Sequence, residues 1–154
     1  MNKDHEVENL SELIIKVIKA KGKILICGNG GSSCESSHFA AELVGRFKHE
    51  RRALPAISLN DPAIITAIAN DYSFDKVFSR QIEALGKSGD LLITLSTSGT
   101  SKNIIEATTI AEEMGMYVWP FHTNNDLKTD TAKTQQFHLW FIHKVSEKVE
   151  EAFL

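Results

Sequence analysis

The stretch 27-CGNGGSSCESSHFAAELVGRF-47 joins the end of an apolar segment to a helical one through a turn of glycine and serine. Glycine lets the backbone approach an anion closely, and the N–H groups at the start of a helix attract negative charge. On the helical segment, His38 and Glu42 share one face because they lie four residues apart. The stretch therefore predicts a phosphate site beside groups capable of acid–base chemistry.

Short apolar segments alternate with helical patterns along the rest of the chain. Segments that are apolar on both faces suit strands of a parallel sheet covered by helices, and the alternation indicates an α/β fold. We therefore predict a three-layer, doubly wound parallel sheet, flavodoxin-like or Rossmann-like, in which Pro120 makes the last strand an edge strand or an irregular one. The predicted strands are 23–27, 55–59, 90–96 and 117–121. The predicted helices are about 5–20, 34–48, 61–71, 74–85, 102–114 and 132–152.

The composition bounds the class of protein. A chain of 154 residues with 42% hydrophobic and 24% charged residues is typical of one soluble globular domain. Its net charge of −3 argues against a general nucleic-acid binder. The one basic cluster is interpreted as a solvated helix end and loop. It comprises Arg46, Lys48, Arg51 and Arg52.

The sequence predicts a cytoplasmic location because it shows no membrane-spanning segment, signal peptide or disulfide framework. No apolar run approaches the roughly 20 residues that span a bilayer, so no membrane partner is expected. The polar and acidic N-terminus does not resemble a signal peptide. Cys27 and Cys34 form neither a disulfide framework nor a metal-type pair, which favours a cytoplasmic protein with free thiols.

A second turn rich in hydroxyl groups, 96-STSGTS-101, follows the third predicted strand. In open α/β sheets the ligand lies beyond the carboxyl ends of the strands, where both turns stand. Helix capping explains Ser101 but not the whole turn. Neither turn has the lysine of a nucleotide-binding P-loop, and Ser33 stands where a dinucleotide fingerprint needs glycine. We therefore predict that the turns bind a small phosphorylated metabolite.

Two helices carry the candidate reactive groups. His38 and Glu42 stand among apolar neighbours, where burying a carboxylate costs free energy, so a functional role would explain it. The alternative is a pair that faces solvent. On the last helix, Gln135 and His143 are separated by about 12 Å of rise and cannot chelate one ion alone. His138, between them, is predicted to be a satisfied structural histidine. Together the two helices could supply a zinc site or a carboxylate–imidazole acid/base pair.

Several phrases together resemble the phosphoheptose isomerase family, which are sugar isomerase (SIS) domain enzymes that act on sedoheptulose 7-phosphate. The resemblance runs from about 21 to 115 and resumes from 134. It rests on CGNGGSSCESSHFAAELVGRF, PAISL, AIANDYSFDKVFSRQIEALG, GDLLITLSTSGTSKNII and TQQFHLWFIH.

This resemblance implies a single SIS domain over 1–154 and a homotetramer with sites between subunits. It also implies one zinc ion per subunit, as in many members. The implied reaction is conversion of the ketose phosphate to D-glycero-D-manno-heptose 7-phosphate, for synthesis of lipopolysaccharide and other bacterial surface polysaccharides.

The resemblance also assigns roles to individual positions. It implies that Glu42 and His143 are catalytic. The implied zinc ligands are His38, Glu42, Gln135 and His143. The implied substrate contacts are Asn29, Gly30, Gly31, Glu42, Asn70, Asp71, Ser96, Thr97, Ser98, Ser101 and Gln135.

The chain departs from the family in two places, and two other functions stay open. The stretch from Phe121 to Thr134 is shorter than usual, so the strand expected there is missing or distorted, and the N-terminal helical region is short.

One alternative function is a non-catalytic SIS module that binds the bacterial replication initiator. That relative lacks the glutamate and terminal histidine retained here as Glu42 and His143. The other is a regulatory domain that senses a sugar phosphate without a general base.

Overall fold

Four parallel strands form one sheet in the order β2-β1-β3-β4 within the residues that the structure describes, which are 3–121 and 131–154 of a computed structural model. Each strand lies within a residue or so of its predicted position. The order is that of a flavodoxin-like sheet, with β1 and β3 in the centre. The strands are β1 (Ile24–Gly28), β2 (Ala56–Ser58), β3 (Leu91–Leu95) and β4 (Tyr117–Phe121).

Helices cover both faces of this sheet. On one face α6 packs against α1 and α2, and on the other α4 and α5 pack against each other. The predicted three-layer, doubly wound α/β architecture is therefore confirmed. The helices are α1 (Lys3–Lys19), α2 (Gly31–Val44), α3 (Pro62–Asp71), α4 (Ser79–Leu85), α5 (Lys102–Glu113) and α6 (Thr131–Glu151).

Two separate apolar clusters hold the layers together. Ile26 and Ile93 point into the cluster with α1, α2 and α6, whereas their neighbours Leu25 and Leu92 point into the cluster with α4 and α5. Successive side chains of a strand point to opposite faces, so a central strand with helices on both sides must be apolar throughout. This explains the unbroken burial of β1 and β3.

The helix that carries His38 begins and ends earlier than the predicted range of about 34–48. Gly30 precedes it with a φ of 55°, a left-handed conformation that suits glycine. The turn is therefore complete at Gly30, and the serines that follow belong to the helix. At the other end, the Gly45 N–H donates to the Ala41 carbonyl, and the chain then leaves the helix axis. The segment between α2 and β2 is therefore longer than predicted.

One other predicted element differs in detail, and the prediction for the last strand is confirmed. The helix predicted over 74–85 is a 3₁₀ turn, Phe74–Lys76, followed by α4, because the backbone bonds of the first turn span three residues. β4 pairs regularly with β3 through Phe121 and is an edge strand among the described residues. Pro120 is tolerated there because an edge strand needs no N–H on its outer side.

The interpretation of the basic cluster is wrong for one residue. Arg46, Lys48 and Arg52 are exposed, as predicted, but the Arg51 side chain is only 1% accessible because it folds back under the end of α2. None of the described helices is long and apolar enough to cross a membrane. The stretch between Phe121 and Thr134, where a strand was predicted to be missing or distorted, falls largely on 122–130, outside the described residues.

Candidate functional site

The two glycine- and hydroxyl-rich turns lie side by side at the carboxyl edge of the sheet. The last residues of the two central strands, Gly28 and Leu95, are register partners, so both chains leave the sheet at the same level. Beyond them, the side-chain amides of Asn29 and Asn103 exchange two hydrogen bonds of 2.9 and 2.8 Å. These bonds join the first turn to the start of α5.

The helices α2 and α6 bring three ionisable side chains together. His38 Nε2 lies 3.2 Å from Glu42 Oε1 and 2.9 Å from His143 Nε2. One ligand atom from each of the three residues lies within 4.8 Å of the others. The side chains of His38 and Glu42 are 39% and 19% accessible, so the cluster is open to a small molecule.

A cavity of about 510 Å³ adjoins this cluster. Its walls come from α2 and the first turns of α6, and they include three predicted site residues, Gly31, His38 and Gln135. A side chain at Gly31 would clash with the Gln135 amide, so glycine is what lets Gln135 approach the first turn. The lining residues are Gly31, Cys34, Glu35, His38, Ala132, Gln135, Gln136 and Leu139.

The second turn keeps hydroxyl groups available beside a helix start. Ser96 Oγ accepts from the Gly99 N–H at 3.0 Å, and Ser98 Oγ lies 3.3 Å from the Thr100 N–H. Ser101 occupies the residue before α5, but its side chain makes no capping hydrogen bond. Capping therefore does not account for Ser101, which stands with the N–H groups of α5 where an anion is favoured.

Asn70 and Asp71 are the predicted substrate contacts that the structure does not bring to the others. Both lie exposed at the end of α3, where Asn70 Nδ2 donates to Asp71 Oδ1 at 2.9 Å. No contact described within 3–121 and 131–154 joins them to the cavity or to either turn.

Sequence reasoning missed three residues around the site. Glu35 Oε2 lies 3.0 Å from Nδ1 of the buried His138, and the Phe47 ring stacks on His143 with centroids 5.4 Å apart. His138 is buried, as predicted for a structural histidine, but among the described residues its other ring nitrogen has no hydrogen-bond partner, so the prediction that it is satisfied is wrong. Glu35 could have been found because it precedes His38 by three residues on one helix face. The other two missed residues are Phe47 and Asn103, whose side chain bonds to Asn29, and neither has a comparable signal in the sequence.

The donor set suits a divalent metal of borderline softness. Two imidazole nitrogens and a carboxylate oxygen are typical zinc ligands, and here they converge in one small volume. Gln135 lines the same cavity as His38 and offers an amide oxygen from α6. The residues present therefore fit a zinc ion, which they would hold through imidazole nitrogens and side-chain oxygens.

Comparison with known proteins gives consistent relatives. The family model for the SIS domain matches residues 1–121. A phosphoheptose isomerase of Campylobacter concisus is 47% identical over 161 aligned residues, which cover 96% of this chain and 85% of the relative. That of Thermodesulfovibrio yellowstonii is 43% identical and covers 94% of this chain and 79% of the relative.

Solved structures agree with these relatives. A phosphoheptose isomerase from Neisseria gonorrhoeae superposes with a TM-score of 0.84 and 36% identity, covering 97% of this chain and 91% of the other. One from Francisella tularensis gives 0.88 and 31%, covering 94% and 85%.

Proposed function

The chain belongs to the phosphoheptose isomerase family of SIS-domain proteins, and on that premise we propose how its residues isomerise sedoheptulose 7-phosphate. It is an isomerase, and its product is D-glycero-D-manno-heptose 7-phosphate for bacterial heptose synthesis. In this proposal, residues 1–154 are a single SIS domain.

The convergence of His38, Glu42 and His143 beside an open cavity is the observation that supports this chemistry best. An aldose–ketose isomerisation moves a proton between adjacent carbons and another between their oxygens. A carboxylate and an imidazole within reach of one another can carry out both transfers. The neighbouring turns supply the N–H groups and hydroxyls for the phosphate end of the substrate.

Glu42 removes a carbon-bound proton from C1 of the ketose, leaving an enediol across C1 and C2. His143 transfers the proton between the two oxygens, and Glu42 returns the carbon-bound proton to C2, which gives the aldose. The step balances because Glu42 takes one proton from C1 and gives one to C2, and the proton held on its carboxyl can exchange with water before it is returned. The Ser96–Ser101 turn holds the phosphate, while Asn29 and Gln135 orient the chain of hydroxyls.

His38, Glu42, Gln135 and His143 would hold one zinc ion per subunit. When bound, zinc supplies a positive charge that polarises the carbonyl and stabilises the developing enediolate. The cluster of two imidazoles and a carboxylate supports this assignment.

We also propose a homotetramer in the cytoplasm, with sites completed near subunit contacts. The helix α3 is apolar and yet has no buried residue, and Ile64 on it is 44% accessible. On α6, Leu139 and Trp140 are 40% and 38% accessible. Such exposed apolar faces are typical of surfaces covered by another subunit.

The relatives do not favour the alternative of a non-catalytic SIS module. Such a module would need no carboxylate near the substrate carbons. The glutamate and histidine that it lacks stand here as Glu42 and His143, 19% accessible and half-buried.

Turnover of sedoheptulose 7-phosphate by the zinc-supplemented wild type, and exchange of its carbon-bound proton with deuterated water, test the proposed function. Glu42→Gln preserves size and removes the base, so both rates should fall by about 10²–10⁴-fold. Glu113→Gln, which removes an exposed carboxylate at the far end of α5, is the matched control and should behave as wild type.

Thermal melting of each variant separates lost chemistry from lost folding. A wild type that neither isomerises nor exchanges any phosphosugar would contradict the enzyme assignment. Full-rate exchange by Glu42→Gln would place the base elsewhere.

A further inference from the structure

The segment that connects α2 to β2 is tied to both helices of the candidate site by one buried ion pair. The side chains of Arg51 and Glu150 are each only 1% accessible, and Arg51 Nε lies 3.6 Å from Glu150 Oε1. Arg51 belongs to the segment itself, and Glu150 lies on α6 two turns after His143. A buried charge pair of this kind needs further hydrogen bonds to both ions. Among the described residues Arg51 Nε itself has no hydrogen-bond partner, but the terminal nitrogens of Arg51 and both carboxylate oxygens of Glu150 have partners.

The Glu150 carboxylate binds the backbone of the segment that connects α2 to β2. Its carboxylate accepts from the N–H groups of Phe47, Lys48 and His49 at 2.9, 2.8 and 3.0 Å. Three consecutive N–H groups directed at one carboxylate fix the local backbone. The segment is thereby held against α6.

Arg51 holds the same segment against the end of α2. Its Nη2 donates to the Glu42 carbonyl at 2.6 Å, and Nη1 donates to the carbonyls of Leu43 and Gly45 at 2.9 and 2.7 Å. The last carbonyls of a helix have no partner within it and carry partial negative charge, so a guanidinium there satisfies both needs. One of the three carbonyls belongs to Glu42 itself.

The segment then reaches the opposite side of the site. Phe47, whose N–H is bound by Glu150, places its ring on His143 at an interplanar angle of 30°. The ring of His143 thus contacts both Phe47 and His38, whose ring centroid is 5.1 Å away.

We propose that Arg51 and Glu150 are positioning residues of the isomerase site, which fix the 45–51 segment so that Glu42 and His143 keep their mutual geometry. This inference rests on the proposed function. The pair touches no reacting atom and acts through the end of α2 and the Phe47 ring. A small displacement of a catalytic group lowers the rate of the chemical step strongly, whereas it changes the affinity for substrate much less.

The test compares Glu150→Gln and Arg51→Lys with wild type. Glutamine keeps the size of Glu150 but presents N–H groups to N–H donors, and lysine keeps the charge of Arg51 without its fork of donors. Both variants should lower kcat by about 10- to 100-fold, with KM changed by no more than about twofold. Arg51→Lys should retain more activity than Arg51→Ala.

A second readout is independent of turnover. Because the Phe47 ring stacks on His143, its ring current should shift the NMR resonances of the His143 ring protons, and selectively labelled protein would report that stacking. We expect these resonances to move in Glu150→Gln. Lys48→Ala is the matched control: it removes an exposed ion pair to Glu147 between the same segment and helix but leaves the Lys48 N–H bound to Glu150.

The outcomes are distinguishable. Folded Glu150→Gln with wild-type kcat and unshifted His143 resonances would overturn the positioning role while leaving the proposed function intact. A wild type without turnover would contradict the proposed function. The NMR resonances of the His143 ring protons would still show whether Arg51 and Glu150 orient His143. Should Glu150→Gln not fold, Phe47→Leu replaces it, and an unchanged kcat in Phe47→Leu overturns the proposal.

Discussion

His38 contacts both Glu42 and His143 through the same ring nitrogen, so the site depends on an atom that two partners share. A zinc ion, as proposed, would be held by donor atoms of these same three side chains. Glu42 and His143 come from helices that are far apart in the chain.

Metal analysis tests the zinc ligands. We expect protein purified without chelator to hold one zinc per subunit, and His38→Ala and His143→Ala to lose it, since each removes an imidazole ligand. His49→Ala, an exposed histidine of the 45–51 segment, is the control and should keep its zinc. Unchanged zinc content in both ligand variants would show that this ligand set is wrong.

Glu150 makes stability depend on pH in a defined direction. Burial raises the pKa of its carboxyl, but N–H groups of Lys48, Phe47 and His49 and the charge of Arg51 outweigh burial, so the pKa lies below its usual range. A lowered folded-state pKa contributes stability above the unfolded-state pKa, and that stability disappears as pH falls through the folded-state value.

The stability difference between wild type and Glu150→Gln should therefore be constant at neutral pH and shrink below about pH 4.3. Urea unfolding at fixed protein concentration over a pH series measures it. A difference that widens in acid would contradict the assigned pKa direction.

At the scale of elements, the turn between β3 and α5 combines two properties of a phosphate site. It stands at a helix start, and the Ser101 side chain makes no capping bond. The Asn29–Asn103 bonds connect this turn to the one that begins α2. The two helix starts can therefore act on one ligand.

Ser98→Ala and Ser101→Ala should weaken binding of the phosphorylated sugar, because each removes a hydrogen bond to a charged group worth roughly 1.5–3 kcal/mol. Thr109→Ala, which removes an exposed hydroxyl farther along α5, is the control. Calorimetric titration with sedoheptulose 7-phosphate measures the affinities. Wild-type affinity in both serine variants would remove this turn from the site.

At the scale of the whole molecule, apolar surface remains uncovered after the chain has folded. The helix α3 contributes no buried residue although its sequence, PAIITAIAND, is largely apolar. Asn70 and Asp71 lie at its end, away from the cavity of the same chain. A subunit contact that covers α3 would give these two residues a place beside a neighbouring site.

We expect light scattering at micromolar concentration to give the mass of a homotetramer. Ile64→Lys should reduce that mass, because it places a charge on an apolar contact surface. Lys102→Glu, at an exposed position of α5, is a control for altered charge. A monomeric wild type would contradict the proposed assembly.

Local sequence determined the strands, most helices and the pairing of His38 with Glu42. Strand burial follows from apolar residues on both faces, and a pair four residues apart meets on any α-helix. The turns 28–33 and 96–101 could likewise be located, because glycine and serine have local conformational preferences.

Only the tertiary structure decided which distant groups meet. His143 approaches His38 because α6 packs on α2, a contact across 105 positions that no local pattern encodes. Arg51 reads as a surface residue in sequence and is buried because Glu150 and the end of α2 satisfy its charge. Local propensities act within a few residues, whereas charge compensation and the closure of a site depend on which surfaces pack together.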